Sequence, residues 1–195
     1  MFTLRSITTQ VQGMRSIAFV YSTVDGHTLE ICERLAGVVE KDGFSATLLE
    51  LGQNVDIDLQ PFDQIVIGAS IRYGKHRPVV TQFIEDNIEL LDSKHAAFFS
   101  VNAVARKPEK RQPHTNPYVR KFLKTISWQP AVIGIFGGKI NYSMYRFWDR
   151  TMIRFIMWMT RGPTALDTNV DFTDWDEVEV FGRAIGELSD PERVK

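Results

Sequence analysis

The sequence is poor in the residues from which disulfides and metal sites are built. Its 195 residues include one cysteine, Cys32, which excludes an intramolecular disulfide and a multi-cysteine zinc or iron–sulfur site. The histidines show no HExxH or similar ligand spacing, and neither GxxxxGKS/T nor GxGxxG occurs. We therefore expect no metal cofactor, no P-loop and no dinucleotide fingerprint.

The sequence also has no apolar run of the roughly 20 residues that a membrane-spanning helix needs. Residues 1–13 contain a single arginine and no long apolar core, so we do not expect a transit peptide or a secretory signal there. We expect a disordered extension over residues 1–13 and a single domain over residues 14–190. The formal net charge is -1, and we expect no nucleic-acid partner.

Short apolar runs alternate with segments of helical periodicity along the chain. The runs predict buried strands, at residues 16–21, 44–51, 64–70, 96–101 and 131–136. Apolar residues at helical spacing predict helices between them, including a single helix over 79–91, and a final helix from Trp175. This alternation predicts an α/β fold with a five-stranded parallel sheet in the order 2-1-3-4-5 and helices on both faces.

The loop after the first strand (residues 22–28, called the phosphate loop below) surrounds a glycine-containing turn with hydroxyl groups. It leads into a helix N-terminus, where free N–H groups and the helix dipole can hold a phosphate without lysine. The same residues could equally form a capped turn between strand and helix. The candidate phosphate ligands are Ser22, Thr23, Val24, Asp25, Gly26, His27 and Thr28.

The loops after the third, fourth and fifth strands should lie on the same rim of the sheet as the phosphate loop. An aromatic side chain, an amide and two glycines could there accommodate a flat ring and bond its edge. Each residue also has a plain structural interpretation, with Tyr73 in the core, Asn102 in a turn and the glycines in a bend. The candidate ring-binding residues are Ser70, Ile71, Arg72, Tyr73, Gly74, Ser100, Val101, Asn102, Gly137 and Gly138.

These loops resemble those of a known family. Residues 22–28 resemble the phosphate loop of flavodoxins. Residues 67–74 (IGASIRYG), 100–111 (SVNAVARKPEKR) and 145–150 resemble, more narrowly, the flavodoxin-like, quinone-dependent protoporphyrinogen oxidases of haem biosynthesis. The similarity extends from about Met14 to the final helix, and the run VARKPEKR is its most discriminating part.

The resemblance implies a flavodoxin-like three-layer fold, FMN as cofactor, and oxidation of protoporphyrinogen IX to protoporphyrin IX. It implies a quinone, menaquinone or ubiquinone, as electron acceptor, and peripheral attachment to the cytoplasmic side of the inner membrane. It nominates no general base, and the sequence leaves open whether the chain forms a homo-oligomer. Two other functions stay open: a flavodoxin-type electron carrier, and an NAD(P)H:quinone oxidoreductase.

A basic loop follows the fourth strand. The two propionates of protoporphyrinogen call for cations, and arginine forks suit carboxylates well. A solvated surface loop would carry the same charges. The candidate substrate-binding residues are Arg106, Lys107, Lys110 and Arg111.

Residues 142–161 form the last distinctive segment, rich in tryptophan, methionine and arginine. Its arginines recur every four residues and share one helical face, which is typical of an amphipathic helix at a membrane interface. A helix that covers the sheet, with arginines extending to solvent, is the alternative. The candidate membrane-facing residues are Arg146, Trp148, Arg150, Arg154, Phe155 and Trp158.

Overall fold

A computed structural model describes residues 14–52, 56–141, 151, 153–155, 157–158, 162–166 and 169–188. The expected extension over residues 1–13 lies outside the described residues. Residues 142–150 also lie outside the described residues. They include three of the candidate membrane-facing residues: Arg146, Trp148 and Arg150.

The core of the fold is a parallel sheet in the order β2-β1-β3-β4-β5, which confirms the predicted topology. Nearly every residue of β1 and β3 is buried because helices cover both faces of the sheet. The strands are β1 (Ser16–Ser22), β2 (Ser45–Glu50), β3 (Gln64–Ser70), β4 (His95–Asn102) and β5 (Val132–Gly137).

In the described part of the chain, five helices pack on the two faces of the sheet, and two 3-10 turns (Ala103–Arg106 and Pro108–Lys110) follow β4. The apolar sides of α1 and α5 pack on one face, and those of α2, α3 and α4 pack on the other. The helices are α1 (His27–Lys41), α2 (Pro78–Asp86), α3 (Ile88–Ser93), α4 (Pro117–Leu123) and α5 (Trp175–Leu188).

The single helix predicted over residues 79–91 is wrong, because the helix breaks at Asn87. The side-chain amide of Asn87 donates to the carbonyl of Phe83, and its backbone N–H donates to the carbonyl of Ile84. Asparagine competes for backbone groups in this way, so it ends one helix and the next begins directly after it. Periodicity alone cannot show such a break because both helices present apolar residues to the same face.

A small antiparallel pair that periodicity did not predict extends the fold beyond β5. It joins β6 (Lys139–Asn141) to β7 (Asn169–Asp171), with Ile140 opposite Val170. Strands of three residues are too short to show an alternating pattern. Residues 151, 153–155 and 157–158, which lie between these strands in sequence, are helical. In the described part of the chain, no helix is long and apolar enough to cross a membrane.

The strand registers bring four loops to one rim. Ser22 pairs with Ala69, Ser70 pairs with Val101, and Asn102 pairs with Gly137. The chain therefore leaves β1, β3, β4 and β5 at neighbouring points, as expected for the carboxyl ends of parallel strands.

Candidate functional site

A cleft of about 240 Å³ opens at this rim. Most of the candidate phosphate and ring-binding residues lie in its wall, and they come from the loops after the strands. The candidates that line the cleft are Thr23, Val24, Asp25, His27, Thr28, Ser70, Ile71, Arg72, Tyr73, Gly74, Val101, Asn102 and Gly138.

The phosphate loop turns sharply into α1. Gly26 has φ of 82°, a left-handed conformation that glycine adopts without strain, and it immediately precedes the helix. Its N–H donates to Thr23 Oγ1 at 3.0 Å, and its carbonyl accepts from the N–H groups of Leu29 and Glu30. The first N–H groups of a helix have no partner within it, so the start of α1 presents donors to the cleft.

Two hydroxyls at the cleft are buried. Thr28 Oγ1 and Ser70 Oγ are enclosed, yet neither has a partner among the described residues. A buried hydroxyl without a partner is unfavourable by about 1–3 kcal/mol, and a hydrogen bond to a ligand in the cleft would remove that cost at these two positions. One hydroxyl lies at the start of α1 and the other at the end of β3.

Tyr73 stands at the edge of the cleft in a tight turn. Arg72 and Lys75 exchange backbone hydrogen bonds, and both intervening residues, Tyr73 and Gly74, have positive φ. Tyr73 is 53% exposed, which rules out the core alternative, and the Arg72 guanidinium lies 5.5 Å from its ring centroid. A non-glycine residue with positive φ is strained, and such strain is concentrated at functional sites.

Asn102 lines the cleft, but its side-chain oxygen is engaged elsewhere. Asn102 Oδ1 accepts from the N–H of Ala105 at 3.1 Å and from the side-chain amide of Asn116 at 3.1 Å. The amide of Asn102 in turn lies 3.4 Å from Ser100 Oγ. Its side chain therefore caps the 3-10 turn after β4, in agreement with the alternative prediction that Asn102 has a structural role in a turn.

His27 ties α1 to the segment before α5. Its Nδ1 lies 2.9 Å from Glu30 Oε2, and its Nε2 lies 2.6 Å from Thr173 Oγ1. The hydrogen bond from His27 lowers the pKa of Glu30 below its ordinary value. Thr173 also donates to the carbonyl of Gly137. The His27 side chain thus connects the cleft wall to the segment before α5 and, through Thr173, to the end of β5.

Four candidate residues lie behind the cleft wall. Ser22 Oγ accepts from the guanidinium of Arg77, and Ser100 Oγ is hydrogen-bonded to His76. Gly26 supplies the turn described above. A Cβ on Gly137 would lie 2.2 Å from the carbonyl oxygen of Phe172, so this glycine allows the backbone of that segment to approach.

The basic loop is anchored to the fold by its arginines. Arg111 pairs with Asp174 at 2.9 Å and with Glu177 at 3.0 Å, while Arg106 donates to the carbonyl of Ala103. None of the four candidate substrate-binding residues is in the described wall of the cleft. For Lys107 and Lys110, no carboxylate partner is found among the described residues.

The described part of the 142–161 segment has two different faces. Ile153 and Met157 line the cleft, and Met157 is buried. Phe155 and Trp158 are 58% and 70% exposed, with ring centroids 6.0 Å apart, and Arg154 is exposed beside them. The helix therefore closes the cleft with one side and presents aromatic rings to solvent with the other.

Sequence reasoning missed several residues of the site. Ile153 and Met157 could have been found from the apolar stripe of the predicted helix, and Lys139 and Ile140 from their position next to Gly138. Glu30 and Tyr118 lie in the first turns of α1 and α4, which topology brings to the rim, but periodicity does not show which side chains of such a turn face the cleft. The wall residues missed in this way include Glu30, Tyr118, Lys139, Ile140, Ile153 and Met157.

His76 was also missed, and its burial makes a testable prediction. It packs against Phe122 with ring centroids 4.3 Å apart, and burial lowers its pKa to about 3. An unfolded chain binds this proton below about pH 6.5, so the unfolded state gains protons first as the pH falls. We expect His76 to account for a loss of about 2 kcal/mol in the free energy of unfolding between pH 6.5 and pH 5. Urea denaturation of the wild type and of His76→Gln checks this, because equal losses in both proteins would contradict it.

The chain is similar to known proteins over most of its length. A model of the flavodoxin domain matches residues 18–167. The protoporphyrinogen IX dehydrogenase (quinone) of Escherichia coli strain K12 is 40% identical over 176 residues, which cover 90% of this chain and 97% of the relative. The chain belongs to the quinone-dependent protoporphyrinogen IX dehydrogenase family. This confirms the resemblance drawn from the loops, and the flavodoxin domain makes the chain a flavin-binding protein.

A second member of the family and one solved structure are also similar to the chain. A protoporphyrinogen IX dehydrogenase (quinone) of Leishmania major is 36% identical over 163 residues, covering 83% of this chain and 71% of the relative. The solved structure of a WrbA-like flavodoxin from Agrobacterium tumefaciens has a TM-score of 0.51 and 12% identity, covering 89% of this chain and 96% of that one. At 12% identity this similarity shows the fold alone. The fold is flavodoxin-like, as the resemblance to the dehydrogenase family implied.

Proposed function

We propose that this chain oxidises protoporphyrinogen IX to protoporphyrin IX, with FMN as cofactor and a quinone as electron acceptor. The observation that carries the proposal is the pair of unpartnered buried hydroxyls, Thr28 Oγ1 and Ser70 Oγ, at the two sides of one cleft. Family membership supplies the substrate class, since the relatives are named for protoporphyrinogen IX and quinone.

The phosphate of FMN would be held by the phosphate loop. Thr28 would donate its hydroxyl, and the first N–H groups of α1 would add donors at the positive end of the helix dipole. Thr23 would act differently, because its hydroxyl oxygen already accepts from Gly26 and its proton remains to be donated. The loop therefore offers a phosphate several neutral donors without a lysine.

The flavin ring would lie between the β3 loop and the β5 loop. Ser70 would bond its polar edge, Tyr73 offers an aromatic face, and Gly138 leaves space, since even a Cβ at that position would lie 3.7 Å from its nearest neighbours. At about 240 Å³ the cleft is smaller than the 300–1,000 Å³ of sites that bury most of a ligand. A bound flavin would remain partly exposed, which leaves an edge open to both substrates.

Bound FMN would supply the redox chemistry, taking electron pairs from the reduced macrocycle and passing them to the quinone. The described residues would position the reactants. Ile153 and Met157 give the cleft an apolar wall suited to a tetrapyrrole or a quinone. Of the four basic candidates for the propionates, Lys107 and Lys110 fit best, because the Arg111 guanidinium is committed to Asp174 and Glu177.

An anaerobic assay tests the proposed activity. The purified protein is mixed with protoporphyrinogen IX and menaquinone or ubiquinone, and porphyrin fluorescence is followed. We expect fluorescence to rise only when both protein and quinone are present. An NADPH-driven bleaching of the flavin with no porphyrin formed would favour an NAD(P)H:quinone oxidoreductase. Electron delivery to a reductase partner, again without porphyrin, would favour a flavodoxin-type carrier.

We further propose that residues 142–161 attach the protein to the cytoplasmic side of the inner membrane as a peripheral protein. The exposed rings of Phe155 and Trp158, beside Arg154, support this. Aromatic rings favour the headgroup region, and arginines are attracted to anionic lipid. The cleft, which Ile153 and Met157 line on the other side of the same helix, would then be held close to the membrane that carries the quinone.

Charge reversal on this helix tests membrane attachment. Each arginine near an anionic surface contributes about 1 kcal/mol, so replacing Arg146, Arg150 and Arg154 with glutamate should weaken vesicle binding by at least ~100-fold. Co-sedimentation with phosphatidylglycerol vesicles measures it. The matched control reverses Arg34, Lys41 and Arg183, which are exposed on α1 and α5. Equal sedimentation of the two variants would remove the membrane proposal.

A further inference from the structure

Arg77 lies behind the phosphate loop and contacts it directly. Its Nη1 donates to Ser22 Oγ at 3.2 Å and to the carbonyl oxygen of Thr23 at 3.3 Å. The residue is far from the loop in sequence, at the start of α2, and no pattern in the chain connects the two. The contact therefore arises only from the fold.

The Arg77 backbone is fixed before any ligand arrives. Arg77 occupies the N-cap of α2, its carbonyl accepts from the N–H of Val80, and Pro78 follows it at the first helical position. The preceding residue, His76, is buried and hydrogen-bonded to Ser100. Because this backbone is held in place, the Arg77 guanidinium can keep its partners in one arrangement, and little conformational entropy is lost when a ligand binds.

The positive charge of Arg77 lies directly beside the phosphate loop. Among the described residues, no acidic side chain pairs with it, whereas the acids near the loop have cationic partners of their own. Asp25 lies 3.3 Å from Arg72, and Glu30 contacts both His27 and Lys139. An uncompensated cation next to the loop favours a phosphate dianion in front of it.

The contact also sets the direction of a hydroxyl. A guanidinium can only donate, so Ser22 Oγ acts as an acceptor toward Arg77 and its own proton must be donated elsewhere. The carbonyl of Thr23 is held in the same way, which turns that peptide so that its oxygen points back toward Arg77. Arg77 thereby keeps an acceptor oxygen away from the phosphate side of the loop.

We propose that Arg77 is a positioning residue for the FMN phosphate: it fixes the phosphate loop through Ser22 and Thr23 and adds a positive charge behind it. This inference rests on the proposed FMN site. It concerns the phosphate alone, since the side-chain hydrogen bonds of Arg77 in the described part of the chain are with the phosphate loop.

Comparison of FMN with riboflavin, which lacks the phosphate, tests the proposal. The full-length apoprotein is titrated with each flavin, and quenching of flavin fluorescence gives both dissociation constants. We expect Arg77→Gln to weaken FMN binding about tenfold, because a unit positive charge behind the loop attracts the phosphate by that order at an effective dielectric constant near 20, and to leave riboflavin binding unchanged. Arg77→Lys keeps the charge and should lose less. Arg120→Gln, on the exposed side of α4, is the control.

The outcomes separate this inference from the proposed function. A wild type that binds FMN no better than riboflavin would overturn the phosphate site and the role of Arg77 with it. A wild-type preference that persists in Arg77→Gln, or an equal loss of both flavins, would overturn the role of Arg77 and leave the FMN site standing. If Arg77→Gln fails to fold, Arg77→Lys is titrated in its place. The preference for FMN, measured as the riboflavin dissociation constant divided by that of FMN, must then be smaller in Arg77→Lys than in the wild type for the proposal to hold.

Discussion

Replacing Thr28 with glutamate is expected to abolish FMN retention. Thr28 is buried at the start of α1, and its hydroxyl has no partner among the described residues. A carboxylate introduced there would lie within about 4 Å of the phosphate, and two like charges at that distance repel by about 4 kcal/mol at an effective dielectric constant near 20. Affinity for FMN should therefore fall by about a thousandfold. The visible spectrum of the purified variant measures the loss.

Thr28→Val separates binding from folding. Valine has nearly the shape of threonine, and it removes a buried hydroxyl that no described residue of the protein bonds. The apoprotein should be as stable as the wild type or more so, while FMN binding weakens by about tenfold. Loss of apoprotein stability together with unchanged FMN affinity would mean that the hydroxyl serves the fold and not a ligand.

Gly137→Ala is expected to have the largest effect on stability. The new Cβ would lie 2.2 Å from the carbonyl oxygen of Phe172, and backbone cannot move aside as a flexible side chain can. The segment before α5, held by the bond from Thr173 to the carbonyl of Gly137, would have to shift. Such overpacking lowers the free energy of unfolding by about 2–3 kcal/mol.

Gly138→Ala is the matched control. The nearest atoms to a Cβ at this position are 3.7 Å away, so the fold should lose less than about 1 kcal/mol. Gly138 lines the cleft, however, and the added methyl group should weaken flavin binding instead. Thermal denaturation and flavin titration of the two variants measure both effects. Similar losses of stability at the two positions would contradict the assigned roles.

The sheet could be predicted from the sequence because its strands are buried on both faces. A strand such as Ser16–Ser22 is an apolar run that ends in polar residues, and the alternation with helices leaves few topologies. The break at Asn87 and the strands β6 and β7 could not be predicted in this way. They depend on one side-chain bond and on pairing between residues distant in sequence.

The site residues that lie at or shortly after strand ends could be predicted from the sequence. Thr28, Ser70 and Tyr73 lie at or shortly after the ends of β1 and β3, so topology alone brings them to one rim. Arg77 and Arg111 could not be assigned from sequence because their roles depend on partners across the fold. The guanidinium of Arg111 looked available for a substrate, yet it binds Asp174 and Glu177. Charge in a loop does not reveal which charges are already paired.

The crystal structure of the protein loaded with FMN tests the account most directly. We predict the phosphate within hydrogen-bonding distance of Thr28 Oγ1 and the first N–H groups of α1. The isoalloxazine should lie in the cleft between Ser70 and Gly138. A flavin bound at the opposite edge of the sheet, or with its phosphate away from α1, would contradict the account.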